Sequence, residues 1–413
     1  MRSLVGSALA CLALGACGGA ESASSVSRGA ALIIENERPA RDGELAWRVE
    51  ETPLLTIGAG TGPGLLGDTL FEFTDIAGAF FLADGRLVVA VMGSSALRFF
   101  DSTGAFVSSV GRKGEGPGEF RQIMGFHRVS GDTLVVNDFY TELDWFTLTG
   151  TLIKSGSSAG DGVGPVEVVA LLDDGTPFAV DLAGFEQRGR YQERKLTIRR
   201  VDRRRGRLDS LVTLLASQET PRRPGVMSRH FLFTPLLYVI GAGELLLTAN
   251  SGVYQLDLRD RNGTVVRSIR RAASSQPVQD ELKARTRENA ITTRGEGMPV
   301  DPRWVRKQKA FFDTDPFPEF LPLFDEIVAT RSGELWVRQY DAEHELTKSP
   351  TVAAPWSDRE SRWDVFTRDG RWVSTVALPA RFTLLDAIED RVLGLTVNDD
   401  EEQGVRVLRL IKP

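Results

Sequence analysis

Asn137, Asp138 and Asn250 are the side chains best suited to hold a hard cation, because each places an oxygen where an apolar run gives way to polar residues. With one carboxylate from Asn398-Asp399-Asp400-Glu401-Glu402 they would ligate the calcium of a calcium-dependent hydrolase, an acidic neighbour serving as base. Asn and Asp are equally at home at strand ends for a structural reason: their side chains satisfy nearby backbone groups. That reading needs no cofactor and is the one adopted, with calcium as the alternative. His127, His230 and His344 have no ligand spacing, and Cys11 and Cys17 both lie at the N-terminus, which argues against zinc. No nucleophile-elbow sequence is present. With no complete catalytic set, no catalytic residue is assigned, and binding is the expected role.

Arg112, Lys113, Tyr140, Arg338, Tyr340 and Trp356 are the candidate contacts, cationic and aromatic side chains suited to a protein, peptide or glycan partner. The basic run at residues 199–207 reads as a solvated turn protecting a sheet edge, with an anionic lipid or polymer contact as the alternative.

The N-terminus, MRSLVGSALACLALGAC, has a basic Arg2, an apolar run too short to span a bilayer, and small residues before Cys17. Leu14-Gly15-Ala16-Cys17 resembles a bacterial lipobox, which implies that residues 1–16 are a signal peptide and that Cys17 is lipidated. Residues 17–44 then form a polar tether with a reach of roughly 25–30 Å. The expected location is the cell envelope, lipid-anchored, at the outer membrane or facing the periplasm. The membrane is one partner through Cys17. Nucleic acid is not an expected partner, since the net charge is -6 and export is expected. The expected state is a monomer.

These residues must be positioned by a repeat. LADGRLVVAVMGSSALRFFDSTGAFVSSVG at 82–111 recurs as VSGDTLVVNDFYTELDWFTLTGTLIKSG at 129–156 and as GAGELLLTANSGVYQLDLRDRNGTVVRSIR at 241–270. Short apolar runs separated by turn residues at a fixed period mean stacked copies of one β unit. Six units are legible, each predicted to carry four strands, except that the last shows three: 382–388, 391–397 and 404–410. The missing strand is at the other end of the chain, where TPLLTIG at 52–58 matches AFVSSVG at 105–111. Pairing of the two terminal strands closes the ring and leaves no long edge open. The fold class is therefore all-β, a six-bladed β-propeller over residues 45–413. Residues 271–323 read as a largely helical insert, with a degenerate seventh blade as the alternative.

GRKGEGPGEF at 111–120 resembles the crossing segments of NHL-type propellers, and specifically of bacterial six-bladed β-propeller lipoproteins, whose blades are joined by G-x-G-x-G-P-G-E/Q-F. Its glycines would let backbones pack closely between blades, and its Phe would plug the gap. The resemblance implies a rigid ring. Most characterised propellers related to this group bind proteins, peptides or sugars on one face, and some are lactonases, phosphotriesterases or lyases with a calcium or zinc ion over the channel, so the resemblance makes a calcium-dependent lactonase- or phosphotriesterase-like hydrolase the alternative function. The crossings from each fourth strand to the next first strand share one face with the loops joining second and third strands. This loop face is the expected ligand site.

Overall fold

The computed structural model describes residues 23–28, 31–59, 70–129, 133–139, 142–158, 166–220, 230–292, 300–347 and 357–413. Its strands form six sheets. The innermost strands are Ile76–Phe81, Ile123–Val129, Val168–Leu171, Leu237–Ala242, Phe324–Ala329 and Phe382–Ile388. Each touches the next, and the last returns to the first. The chain is a six-bladed β-propeller, with the blades in chain order.

Each blade is covered on both faces by its neighbours, so its middle strands are apolar throughout rather than alternating. Leu87–Val91 and Ala96–Phe100 of the first blade are buried at every position. The crossing segment works as its composition predicts. Gly111 adopts a φ of +89°, and a Cβ there would sit 2.4 Å from the ring of Phe120. Phe120 is fully buried between the first two blades and packs edge-on against Phe146. The hairpin glycine before the outermost strand does similar work in the first, second and fifth blades: a Cβ on Gly104 would meet Leu55, one on Gly150 would meet Val110, and one on Gly370 would meet Ile269. In these blades the outer hairpin is thus pressed against the outer strand of the blade before it.

The ring closes as the terminal strands predict. Leu55–Gly58 pairs antiparallel with Gln403–Ile411, setting Thr56 opposite Arg406 and Ile57 opposite Val405. Ile57 is completely buried, in a cluster shared by the sixth and first blades.

Two expectations are corrected. The tether does not extend to residue 44. Ala31–Asn36 is a fifth strand of the fourth blade, parallel to Val265–Arg271, and Ile33 and Ile34 are buried. Three consecutive apolar residues were enough to anchor it. Asn36, 2% exposed, locks the strand in place: Nδ2 donates to the carbonyls of Arg270 (3.0 Å) and Gly370 (3.1 Å), and Oδ1 accepts from the amide of Trp372 (2.8 Å). The segment then crosses the outer edge of the fifth blade, where Ala40 and Arg41 donate to the carbonyls of Trp372 and Val373. It reaches the sixth blade at Arg48–Val49. The N-terminal segment is a strap over three blades as well as a closing strand.

The third blade also exceeds its expected length, the apolar runs at 177–180, 195–201 and 208–214 marking only part of its outer three strands. Its strands Pro177–Arg188, Tyr191–Asp202 and Arg207–Glu219 run past the ring on the loop face. There they meet the insert, which is helical at α1 (Asp280–Thr292) and α2 (Pro302–Phe312). α1 starts three residues after Pro277, which instead pairs with Phe320. Arg190 at the hairpin tip donates to the carbonyls of Asp315 (2.8 Å) and Phe317 (2.9 Å) and pairs with the Asp315 carboxylate. Phe233, Val278, Phe312 and Phe317 give this cap a core of its own. No helix among the described residues is long and apolar enough to cross a membrane.

Deleting residues 45–58 should cost several kcal/mol through lost burial and ladder hydrogen bonds. Asn36→Ala should cost about 2–4 kcal/mol, because it leaves buried backbone groups unpaired. Urea denaturation of the full chain and its variants measures both, and an Asn36→Ala midpoint equal to that of the parent would contradict the strap. Deletion of residues 20–40, harmless if the segment were a tether, should now destabilise as well.

Candidate functional site

The loop-face candidates are largely consumed by structure. Arg112 donates to Glu119 (2.7 Å), whose other oxygen accepts from the Gly116 amide (3.1 Å); the hydrogen bond from Arg112 holds the Glu119 carboxyl below its ordinary range. Lys113 forms a backbone bridge with Phe120 in the same crossing. Arg338 lies between Asp325 (2.6 Å) and Glu326 (2.9 Å) and against the Trp363 ring. Burial opposes its charge, but Glu326 and Asp325 outweigh burial and hold the guanidinium protonated. Tyr340 packs into the cap, and burial pushes its phenol well above its ordinary value. These two residues border a recess of about 270 Å³. Cys17, Tyr140 and Trp356 lie outside the described residues.

The proposed calcium ligands are likewise engaged. Asn137 donates to the carbonyl of Val168 (3.2 Å) and Asn250 to that of Leu215 (3.1 Å), each tying its blade to the third. Asp138 accepts from the amide of Gln122 (2.8 Å) and faces Arg121 (3.5 Å). Among the described residues no three His, Cys, Asp or Glu side chains are grouped to hold a metal ion. The basic run is internally compensated: Arg199 pairs with Asp181, Arg200 with Asp209, and Arg205 with Asp202. Arg203 stacks on Trp145 at 4.4 Å, opposite Lys154.

A cavity of about 950 Å³ opens on the opposite face, among the tight turns joining first to second and third to fourth strands. Its inner end is set by charged residues in otherwise apolar inner strands. Arg128 reaches across the channel to Asp386 at 2.9 Å. Asp386, 1% exposed, also accepts from the amides of Phe81 (3.1 Å) and Arg331 (3.1 Å). Arg128 and Arg331 both donate to the Phe81 carbonyl, at 3.3 and 3.2 Å. One carboxylate and two guanidiniums therefore join the first, second, fifth and sixth blades. Outward, the cavity is walled by Arg267 and Arg368 at the junction of the fourth and fifth blades, and by Asp173 and Glu244 on the turns of the third and fourth. Arg267 donates to the Arg368 carbonyl (2.6 Å), and its Nε is buried without a hydrogen-bond partner. Sequence reasoning missed this site because the turns read only as connections. The signal was Arg128 in IMGFHRV and Asp386 in FTLLDAI, charges inside inner strands.

Residues 73–152 match the family DUF5128, described as a 6-bladed beta-propeller. No curated protein matches the chain. Among solved structures, it is similar to a Bacteroides fragilis protein named as exported, with 11% identity over 92% of this chain and 99% of that one at a TM-score of 0.46. A Bacteroides vulgatus member of the duf4221 family shares 9% identity over 90% and 100% of the two chains, with a TM-score of 0.48. Virginiamycin B lyase from Staphylococcus aureus shares 7% over 88% and 100%, with a TM-score of 0.38.

Asp386→Asn should cost about 3–5 kcal/mol, because it strands Arg128 at the channel base. The double variant Asp386→Leu with Arg128→Met should recover part of that loss in urea denaturation. His127, in the inner strand of the second blade, has an Nε2 that is buried without a hydrogen-bond partner, and burial lowers its pKa to about 4. The unfolded chain takes up this proton near pH 6.5 and the folded one only near 4, so stability present above pH 6.5 should fall by up to roughly 3 kcal/mol between those values. In His127→Gln this part of the pH dependence should vanish from the denaturation midpoint.

Proposed function

We propose that this chain is an exported, lipid-anchored propeller of the bacterial cell envelope that binds a small polar ligand in the turn-face cavity. The lipobox-like Leu14-Gly15-Ala16-Cys17 supports export and anchoring. Residues 23–28 and 31–36 are paired into the sheet of the fourth blade, so the ring would stand closer to the lipid than a tether to residue 44 allows. The observation that carries the binding site is the cavity itself. Its volume, about 950 Å³, is at the upper end of those that hold small ligands, and its converging polar groups come from several blades. A protein partner docking on the loop face is less well supported, because Arg112, Arg338 and Tyr340 are already engaged there.

Thermal-shift measurements on the full chain, with separate panels of amino acids, short peptides, sugars and sugar acids, test this. At least one class should raise Tm, and Ser332→Trp, which places bulk at the cavity wall, should abolish that rise while Arg112→Ala leaves it intact. A ligand shift that survives Ser332→Trp and is lost in Arg112→Ala would overturn the assignment.

A further inference from the structure

Strand register fixes where the N-terminal side of the chain leaves the ring. Val265–Arg271, the fourth strand of the fourth blade, ends on the loop face, where the helical insert begins. Ala31–Asn36 runs parallel to it with Asn36 opposite Arg271, and Ala23–Arg28 returns antiparallel with Ala23 opposite Asn36. Ala23 is therefore at the loop-face end of the fourth blade, beside the root of the insert. Six residue steps separate it from Cys17, a reach of at most about 20 Å. A lipid on Cys17 would hold this end of the blade, and the insert beside it, close to the bilayer.

The insert carries the charge that such a surface attracts. α2 reads PRWVRKQKAFF, with four cations and no carboxylate. Its inward face is fixed by the buried Gln308 and Phe312 and by Trp304, whose Nε1 donates to the Ala290 carbonyl (3.1 Å). Arg303, Arg306 and Lys307 share the opposite, exposed face at i, i+3 and i+4, with Lys309 at its border. None of the four makes an ion pair among the described residues. Of the carboxylates at the helix ends, Asp301 accepts from the Trp304 amide (2.8 Å) and Asp313 closes the last turn. Neighbouring α1 is mixed in sign, with Arg285 paired to Glu343 and Arg287 to Asp315. Four unopposed cations in a chain of net charge -6 point to an anionic partner.

The loop-face end of the fourth blade adds bare apolar side chains. Val253, between the second and third strands, is 63% exposed, more than any other large apolar side chain among the described residues. Leu236, exposed at the start of the first strand, is held beside it by the bond from the Ser251 amide to the Leu236 carbonyl (3.0 Å). Apolar tips next to cations suit the boundary of a bilayer, where the tips enter the acyl region and the cations meet phosphate. The anchor decides between lipid and an acidic protein, because it delivers this end of the ring to the bilayer at high local concentration.

Resting on the proposed anchoring at Cys17, we infer that α2 and the loop-face end of the fourth blade form a second membrane contact, lying on an anionic phospholipid surface, so that the turn-face cavity opens away from the bilayer.

Flotation with vesicles tests the contact, using the full chain with Cys17→Ser, which removes the acylation site, and comparing phosphatidylcholine alone with phosphatidylcholine plus phosphatidylglycerol. At low salt the chain should partition roughly tenfold more strongly onto the anionic vesicles, and high salt should erase the difference. The triple variant Arg303→Glu, Arg306→Glu and Lys307→Glu should lose the preference while keeping the Tm of the parent, since these side chains are exposed and unpaired. Val253→Ser should weaken binding to the anionic vesicles several-fold. Arg204→Glu with Arg205→Glu, on the turn face, should leave it unchanged. Residues 1–16 are common to parent and variants, so the differences between them read the ring alone. Equal partition onto the two vesicles, or a preference kept in the triple variant and lost in the turn-face variant, would overturn the inference. Labelling of the unsubstituted chain with a radioactive fatty acid reads the anchor separately. A labelled chain whose Cys17→Ser form shows no preference keeps the anchor and rejects the contact; an unlabelled chain with a helix-dependent preference keeps the contact and rejects the anchor.

Discussion

Ring closure is the constraint from which the rest follows. Every blade is apolar on both faces, so each needs a neighbour on both sides, and a ring missing one strand exposes a blade edge and a core face together. The antiparallel pairing of Leu55–Gly58 with Gln403–Ile411 supplies that strand and joins the two ends of the domain. Closure then fixes the channel, and a fixed channel lets Asp386 collect donors from the first, second and fifth blades at hydrogen-bond distance. The cavity below it is defined only because those blades cannot move independently.

The same constraint explains the strap. The N-terminal segment lies along the fourth blade as Ala31–Asn36, with Ala23–Arg28 paired outside it, then crosses the fifth blade and completes the sixth, so it covers outer edges over half the ring. Outer edges are where a propeller would otherwise accept a foreign strand. Asn36 shows how local the control is: one side-chain amide bonds to the fourth blade at Arg270 and to the fifth at Gly370 and Trp372.

Much of this was legible in the sequence. The periodic apolar runs located the strands, the match of residues 52–58 to 105–111 located the closing strand, and GRKGEGPGEF located the buried Phe120. What was not legible depends on partners distant in the chain. Leu32-Ile33-Ile34 is too short a run to declare a strand when its partner is Val265–Arg271 in parallel register. The second strand of the third blade reads in the sequence as ending at Val180 because the polar residues beyond it are stabilised by the insert, through contacts such as Arg190 with Asp315. The candidate site was sought on the loop face by general expectation, and there the cap and its ion pairs use the residues that looked available. The turn face holds the cavity because charged residues at the ends of inner strands, Arg128 above all, meet only when the ring is closed.

A disulfide across the closure is the most direct test. Thr56 and Arg406 are opposed in register, and residues directly opposite across an antiparallel pair have Cα atoms about 4.5–5.5 Å apart, within reach of a disulfide. In the double variant Thr56→Cys with Arg406→Cys, mild oxidation should produce a species of faster mobility on a non-reducing gel. Its Tm should lie above that of the reduced form, since the bond closes a loop of about 350 residues. A folded double variant that stays reduced under oxidant, while each thiol reacts freely with an alkylating reagent, would show that the terminal strands do not meet.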